Sequence, residues 1–477
     1  MTYEIVDNFA AGLDTRKSPL TSPGGTLTRL NNALITPGGE IAKRRAFVKV
    51  ADFPANSFGL ASTEAKLVIF GKNVVPTPPA VAGVTITALK VPNGAADIQQ
   101  FDYDVFDGKV YLACYIPSAV WPENVKHYYD TPTDDLIDST IMVATEGTGK
   151  GFYVRTYQSK VYSVIGKYLY FSAVNDPINW SSGTGAGYIN VSLQDADSET
   201  LSSLEVYYDK LAIFSGEATQ IWAVDPNPLQ NAYVQLLRGN GTLAPRSPLQ
   251  YGSGDVLYLD QSGIRSLKAR DSSNSASVSD IGSPIDVEIQ KLRAAQGDAY
   301  MNKAVALLEP SVGRFWMCFP NEVYALSYFP GPKITAWSRL SLPFTLQHAV
   351  TCGGKIYFRD TANGLWVYGG VDGLTYDNCG VEIRLPYLNG KKPGHNKIFE
   401  AIDMTCEGGW EVRASFDVTA QDAEDLVGNF TKSTWSHGRA EMTGYGSHIS
   451  LRFYNNDALP ATLSNVALHY IVVDDEQ

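Results

Sequence analysis

The feature that most restricts what this chain can fold into is a recurrence. The stretch 206–224, VYYDKLAIFSGEATQIWAV, sets two apolar runs on either side of a short polar turn, the pattern of a β-hairpin. Similar stretches return along the chain, each a turn, then a basic or polar residue, then an apolar run. They are EAKLVIFGK around Lys66, DGKVYLACY around Lys109, QSKVYSVIG around Lys160, YDKLAIFSG around Lys210, SGDVLYLDQSG around Asp255, VGRFWMCFPN around Arg314 and GGKIYFRDTANG around Lys355. Successive anchors lie 41 to 59 residues apart. All-strand units at such a period point to propeller blades. One four-stranded sheet cannot bury both of its faces alone. Sheets packed face to face around an axis bury both and leave only short edges. The inner strands then become apolar on both sides, as KLVIF and KLAIF are. The spacing predicts a β-propeller of six or seven blades; the alternative is a set of unrelated sandwiches with similar hairpins.

Composition agrees. At 477 residues the chain is too long for one ordinary core. Charged residues make up only 18%, too few for long amphipathic helices, whereas 27 Tyr, 19 Phe, 42 Gly and 25 Pro suit strands joined by tight turns. Only SPIDVEIQKLRAAQG, 283–297, reads as a helix. Ser283 is expected to cap it, Pro284 suits the first helical position, and Asp286 stands at the favourable dipole end. Its expected place is the edge of a blade, with a subunit contact as the alternative. DQSGIRSL at 260–267 and DTANGLWVY at 360–368 are Asx-type turns that vaguely resemble the Asp-boxes of sialidase propellers; the plain reading is a folding turn. From about residue 380 the texture changes to short alternating runs such as WEVRASFDV and HISLRFYNN, as in a β-sandwich. The expected organisation is an extended N-terminal arm (1–50), a propeller (51–378) and a C-terminal β-sandwich-like domain (379–477).

The chain carries a net charge of −12. A protein that grips phosphates over a broad surface is usually basic, so DNA gripping is disfavoured. A wall that DNA slides past is compatible with this balance. Cys114, Cys318, Cys352, Cys379 and Cys406 are scattered and odd in number, and read as buried thiols in a reducing compartment. The N-terminus lacks the basic start and apolar run of a signal peptide, and no apolar stretch reaches the length of a membrane span.

Chemistry is mostly absent. The six histidines form no H-E-x-x-H or other close pair, so no metal site is expected. No G-x-S-x-G elbow is present. EGTGKGF, 146–152, lacks the first P-loop glycine and the Ser/Thr after its lysine, and reads as a turn. FDYDVFDG, 101–108, misses the calcium-loop spacing and alternates as a strand does. Paired carboxylates meeting at a propeller axis, as in some glycosidases, are not located by sequence. No catalytic residue, cofactor or metal ligand is assigned.

Two patches carry a resemblance. In 8–47 the cadence is G-L-D-T-R, then S-P, L-N-N-A and G-G-E-I-A-K-R-R-A-F. In 236–269 it is G-T-L-A-P-R-S before a strand and an S-G-I-R-S-L hairpin. Both, in this order with repeats, one helix and a C-terminal β region, resemble the tail hub (nozzle) proteins of short-tailed bacteriophages, the family that includes packaged-DNA stabilisation proteins. The resemblance implies a non-enzymatic virion protein assembled in the host cytoplasm. In that family six copies ring the tail channel below the portal and adaptor, hold packaged DNA and release it at infection. Tail fibre or needle proteins are further implied partners, with DNA passing unbound. Some members carry inserted domains that this chain lacks. Within the arm, Arg16, Lys17, Lys43, Arg44 and Arg45 form a basic set on an acidic protein. They read either as solvated residues of a strand that completes a sheet or as a docking site for a neighbour or the adaptor. The alternative functions are a propeller enzyme acting on glycans, which needs converging acids at the axis, and a glycan-binding propeller.

Overall fold

All seven anchor residues begin the second strand of a blade. The computed structural model describes residues 2–72, 76–91, 98, 100–115, 125–130, 136–139, 153–181, 183–194, 200–252, 254–269, 276–420, 422–436 and 438–473. Lys66 opens Lys66–Lys72, Lys109 opens Lys109–Tyr115, Lys160 opens Lys160–Ile165 and Lys210 opens Lys210–Ser215. Asp255, Arg314 and Lys355 likewise open Asp255–Leu259, Arg314–Cys318 and Lys355–Asp360. The fold is a seven-bladed β-propeller joined to a C-terminal β domain.

Local chemistry explains the anchors. The turn before several of them has two consecutive residues at positive φ: Asp107 and Gly108, Gln158 and Ser159, Gly353 and Gly354. Such mirror-image turns match the twist of the strands they join. The second strand then lies between two neighbouring blades, so Lys160–Ile165 and Arg314–Cys318 are buried throughout. Tyr162 and Val164 of blade 3 share a core with Leu204, Leu211 and Ile213 of blade 4. Each large apolar side chain so buried contributes about 1.5–3 kcal/mol. This is why the runs are apolar on both faces.

Blades 2 to 5 are four-stranded antiparallel sheets built from consecutive strands. Blade 1 has three described strands, and its third, Thr85–Val91, runs parallel to its second. Blade 7 takes its outermost strand, Phe47–Asp52, from the N-terminal part of the chain. Phe47 seats this strand with its ring 5.5 Å from Phe358 and 5.4 Å from Tyr368.

The C-terminal strands do not form a detached sandwich. The outer strand of blade 6, Ile334–Ser341, pairs with Arg29–Asn31, which pairs with Val381–Arg384, and the sheet continues into the C-terminal region. Its spine is the 19-residue strand Lys397–Ser415. One core holds Trp337 of blade 6, Leu30 and Ile41 of the N-terminal segment, and Phe399, Trp410, Phe453 and Leu468 of the C-terminal strands. The first fifty residues are therefore woven into both bodies: Thr2–Val6 pairs with Thr462–Val472, and Ile41–Lys43 pairs with the same strand.

The helix starts later than its sequence signal. Ser283–Ile285 is a 3-10 turn and the α-helix is Asp286–Gln296, with no side-chain cap at its start. Ser283 does not cap it; the serine hydroxyl accepts from Arg16 Nη1 at 3.2 Å instead. Asp286 meets Arg265 at 2.9 Å, so the favourable first-turn charge is held by an ion pair with blade 5. Gly297, at φ 79°, ends the helix. Both Asx-type stretches are folding turns. Asp360 accepts from the N–H groups of Ala362 and Gly364 and from Trp366 Nε1, and Asp260 accepts from Ser262. EGTGKGF lies outside the described residues.

Candidate functional site

The first strands of the seven blades surround a cavity of about 1160 Å³ on the propeller axis. Every blade lends it residues: Leu60, Asp104, Arg155, Glu205, Arg246, Val305 and His348 come from blades 1 to 7 in order. At one end the wall is formed by the turns that lead into the second strands, with Thr63, Glu64, Gly108, Gly353 and Gly354. The other end is crossed by a side chain. Arg246, just ahead of the first strand of blade 5, donates from Nη1 to His348 Nδ1 of blade 7 at 2.7 Å. Its Nη2 donates to the Phe101 carbonyl of blade 2. The guanidinium also covers the Phe101 ring at 4.9 Å. Blades 5 and 2 are not neighbours, so this side chain spans the axis.

Deeper in the channel, Arg155 of blade 3 joins blades 2 and 4. Its Nε donates to Glu205 at 3.0 Å and its Nη1 reaches Asp102 at 3.3 Å. The carboxylates are further tied to backbone. Asp102 accepts from Val154 N at 3.0 Å, Glu205 from Val206 N at 2.9 Å, and Asp104 from Val105 N and Thr156 N at 2.8 and 2.6 Å. Burial works against the Arg155 charge, but Glu205, Asp102 and Asp104 outweigh it and hold the guanidinium protonated above its ordinary range. Burial lifts Asp104 to about 6, against the pull of Arg155 and its two backbone donors. Burial pushes Tyr103 up to about 12 and His348 well below the ordinary imidazole range, with Arg246 and Arg359 adding to the latter.

Chemically this is an inter-blade clamp more than an acid–base pair. Asp102 and Glu205 share one arginine, and both oxygens of Asp104 face backbone N–H groups. The sequence carried a signal for it that the repeat reveals: Asp104, Arg155 and Glu205 each stand five residues before their anchors Lys109, Lys160 and Lys210. Aligned on those anchors, three consecutive blades present acid, base, acid at one depth. Among the described residues no group of three His, Cys, Asp or Glu is arranged to hold a metal ion. The five cysteines are free, four buried and Cys379 half-buried.

The basic set of the arm is dispersed. Lys43 and Arg44 are buried. Lys43 Nζ donates to Asn455 Oδ1 at 2.9 Å, and Arg44 pairs with Asp377 at 3.0 Å and donates to Asn32 Oδ1. Arg45 is half-buried. Arg16 and Lys17 are exposed, with Arg16 paired to Asp14 at 2.6 Å.

No protein-family profile and no curated protein matches this chain. Among solved structures it is similar to the extracellular domain of a putative hybrid two-component system from B. thetaiotaomicron, at 12% identity and a TM-score of 0.40, over 85% of this chain and 51% of that one. The chain thus spans about half of that protein's length. It is also similar to virginiamycin B lyase from Staphylococcus aureus, at 8% identity and a TM-score of 0.40, covering 77% of this chain and 98% of that one. A third likeness is to YCF48 from Cyanidioschyzon merolae, at 11% identity and a TM-score of 0.41, covering 68% and 98%.

Proposed function

We propose that this chain is a non-enzymatic structural subunit of a short bacteriophage tail, part of a ring that extends the DNA path below the portal and adaptor, retains packaged DNA and lets it leave at infection. The observation that carries the reading is where the two phage-like patches lie. Although distant in sequence, they converge on the 3-10 turn Ser283–Ile285 and the first residue of the helix that follows it. Thr15 N donates to the Pro284 carbonyl at 2.9 Å and Arg16 Nη1 to Ser283 Oγ, from the first patch. Arg265, in the second patch, holds Asp286 at the start of the same helix. The second patch also supplies Arg246, the side chain that spans the propeller axis. Residues that carry the resemblance thus lock arm, helix and blades together, as a load-bearing wall requires. With Arg246 across the axis, DNA in this reading travels along the common axis of several copies and not through one propeller. The clamped carboxylates and the acidic surface, which gives a phosphate backbone little to grip, support the same reading.

The test is to mix the purified chain with the portal–adaptor complex of the same virus and image the product. A ring of six copies below the adaptor is expected; a chain that leaves the complex bare overturns the reading. The second reading is a glycan-active enzyme, favoured by the axial cavity of about 1160 Å³ with Asp102, Asp104 and Glu205 in its wall. Turnover on a glycan panel, abolished by Asp104→Ala, would replace the first reading with this one.

A further inference from the structure

Lys43 and Asn455 are 412 residues apart in sequence and touch in the fold. Lys43 ends the strand Ile41–Lys43, which pairs with Ala33–Ile35 on one side and Thr462–Val472 on the other. Asn455 ends Ser450–Asn455, which pairs with Val381–Arg384 and Lys397–Ser415. Both side chains are buried, Lys43 at 3% exposure and Asn455 at 1%. Lys43 Nζ donates to Asn455 Oδ1 at 2.9 Å and to the Asp457 carbonyl. Asn455 Nδ2 donates to the Gly409 carbonyl, which fixes the plane of the amide. An amine is thus held by paired strands against a side-chain carbonyl.

Lys397, by contrast, donates to three main-chain carbonyls. Lys43 faces a primary amide, which can be attacked at Cγ and can lose ammonia. Two further features suit that chemistry. Burial lowers the proton affinity of Lys43, against the pull of Cys379, Asp377 and Asp457 and with Arg44 adding to the fall. More of the amine is therefore neutral and nucleophilic than in a lysine in water. A carboxylate also stands beside the amide. A Cβ on Gly409 would come within 2.3 Å of Asp457 Oδ2, and the carbonyl of the same Gly409 accepts from Asn455. The missing side chain at Gly409 is what lets Asp457 lie there.

We propose that Lys43 and Asn455 join in an isopeptide cross-link, formed by the folded chain itself. The Asp457 carboxylate takes a proton from the Lys43 ammonium, Nζ attacks Asn455 Cγ, and a Nζ–Cγ bond forms. The Asp457 carboxyl then gives its proton to Nδ2, the Cγ–Nδ2 bond breaks, and ammonia leaves and carries off the remaining extra proton of Nζ. Overall an ammonium and a primary amide give a secondary amide and an ammonium ion, with no change of oxidation state. The strands that hold the two groups supply the proximity that an encounter in solution lacks. The product ties the N-terminal segment covalently to the C-terminal strands and closes residues 43–455 into a loop that contains the whole propeller. It does not depend on the tail reading.

The test is the mass of the full chain, purified folded, kept for days at mildly alkaline pH and then denatured. The wild type is expected to be lighter than its sequence by one ammonia. Trypsin should leave Lys43 uncut and yield residues 30–44 joined to residues 453–477, with the joint placed by fragmentation. Lys43→Arg and Asn455→Ala should each keep the full mass, release the two peptides separately, and run slower in a denaturing gel than the looped wild type. Asp457→Asn, which keeps the main-chain carbonyl, should cut the linked fraction at least about tenfold. Cyclisation of an asparagine loses the same mass but leaves the peptides separate. That outcome, a wild type of full mass, or a linked peptide that persists in Asn455→Ala overturns the inference. An Asp457→Asn chain linked as fully as the wild type overturns the proton route.

Discussion

Arg246 Nη1 lies 2.7 Å from His348 Nδ1 across the propeller axis. A guanidinium can only donate, so the imidazole must accept, and it is held neutral with its proton on Nε2. Burial and the adjacent arginines Arg246 and Arg359 depress its proton affinity accordingly.

Acid stability should report this pair. The unfolded chain protonates His348 near its ordinary 6.5, whereas the folded chain does not, so the unfolded state binds the extra proton and stability falls as the pH drops below 6.5. Each such histidine contributes at most about 1.4 kcal/mol per pH unit. His127, which burial pushes down to about 3, adds to the same slope. His348→Asn keeps an acceptor for Arg246 and removes one titration. Urea midpoints between pH 6.5 and 5 should fall less steeply in the variant; an unchanged slope would count against a neutral His348.

Asp104 acts in the opposite direction. Its folded value of about 6 lies above its ordinary 3.8, so the folded state binds the proton more tightly between those values and the contribution is lost as the pH rises through 6. A rise from 3.8 to about 6 is worth at most about 3 kcal/mol. Relative to wild type, the melting temperature of Asp104→Asn should be higher at pH 7 than at pH 4. A difference independent of pH would place the Asp104 titration in the ordinary carboxylate range.

Two buried lysines should respond unequally to the same substitution. Lys397 Nζ donates to the carbonyls of Lys392, His395 and Ser447 at 2.7, 2.8 and 2.9 Å, one for each proton. Lys160 Nζ donates to the Gly185 carbonyl at 2.7 Å and lies 4.7 Å from the centre of the Phe171 ring, and burial depresses it to about 8. Lys397→Met should cost about 3 kcal/mol by orphaning three acceptors. Lys160→Met should fall within about 1 kcal/mol of wild type, because relief of a poorly solvated charge offsets the lost bond. Denaturant midpoints of the two variants decide it, and equal losses would show that Lys160 is as well satisfied as Lys397.

Gly12 holds the arm against blade 6. It sits at φ +57°, and a Cβ there would stand 2.7 Å from Ala336 Cβ and 2.8 Å from the Trp337 carbonyl. Gly12→Ala should cost about 2–3 kcal/mol through the left-handed backbone and the clash. Trypsin should then cut after the exposed Arg16 and Lys17 several-fold faster than in the wild type. Unchanged cleavage would mean that Asp14 and Thr15 suffice to hold the arm.

The second strand of every blade was legible because each is short, apolar on both faces and announced by a turn and an anchor residue. Blade 7 was only half legible. Lys355–Asp360 stands out, but Phe47–Asp52, which completes the blade, alternates like any solvent-edged strand and gives no sign of a partner beyond residue 360. The C-terminal strands read correctly as β, yet their continuity with blade 6 depends on the three residues Arg29–Asn31, too few for a periodicity. The α-helix starts at Asp286, past its sequence signal, because Pro284 favours a 3-10 turn as readily as a first α-turn. The clamp of Asp102, Arg155 and Glu205 is not readable from FDYDVF alone. Its charges come from three repeats and meet only when the ring of blades closes. Lys43 and Arg44 looked like surface charge because their partners, Asn455 and Asp377, lie hundreds of residues away.

Phe47–Asp52 belongs to blade 7, whose other strands end at Tyr368. On a ribosome adding about 5–20 residues per second, this segment emerges tens of seconds before the blade it must join. Thr2–Val6 waits longer still, for Thr462–Val472. These two early segments thus find their places only after strands made hundreds of residues later, and until then the circle of blades stays unclosed. A product that stopped before Thr462–Val472 would leave Thr2–Val6 without its partner and open to proteases, so the woven segment acts as a check that the later strands have been made.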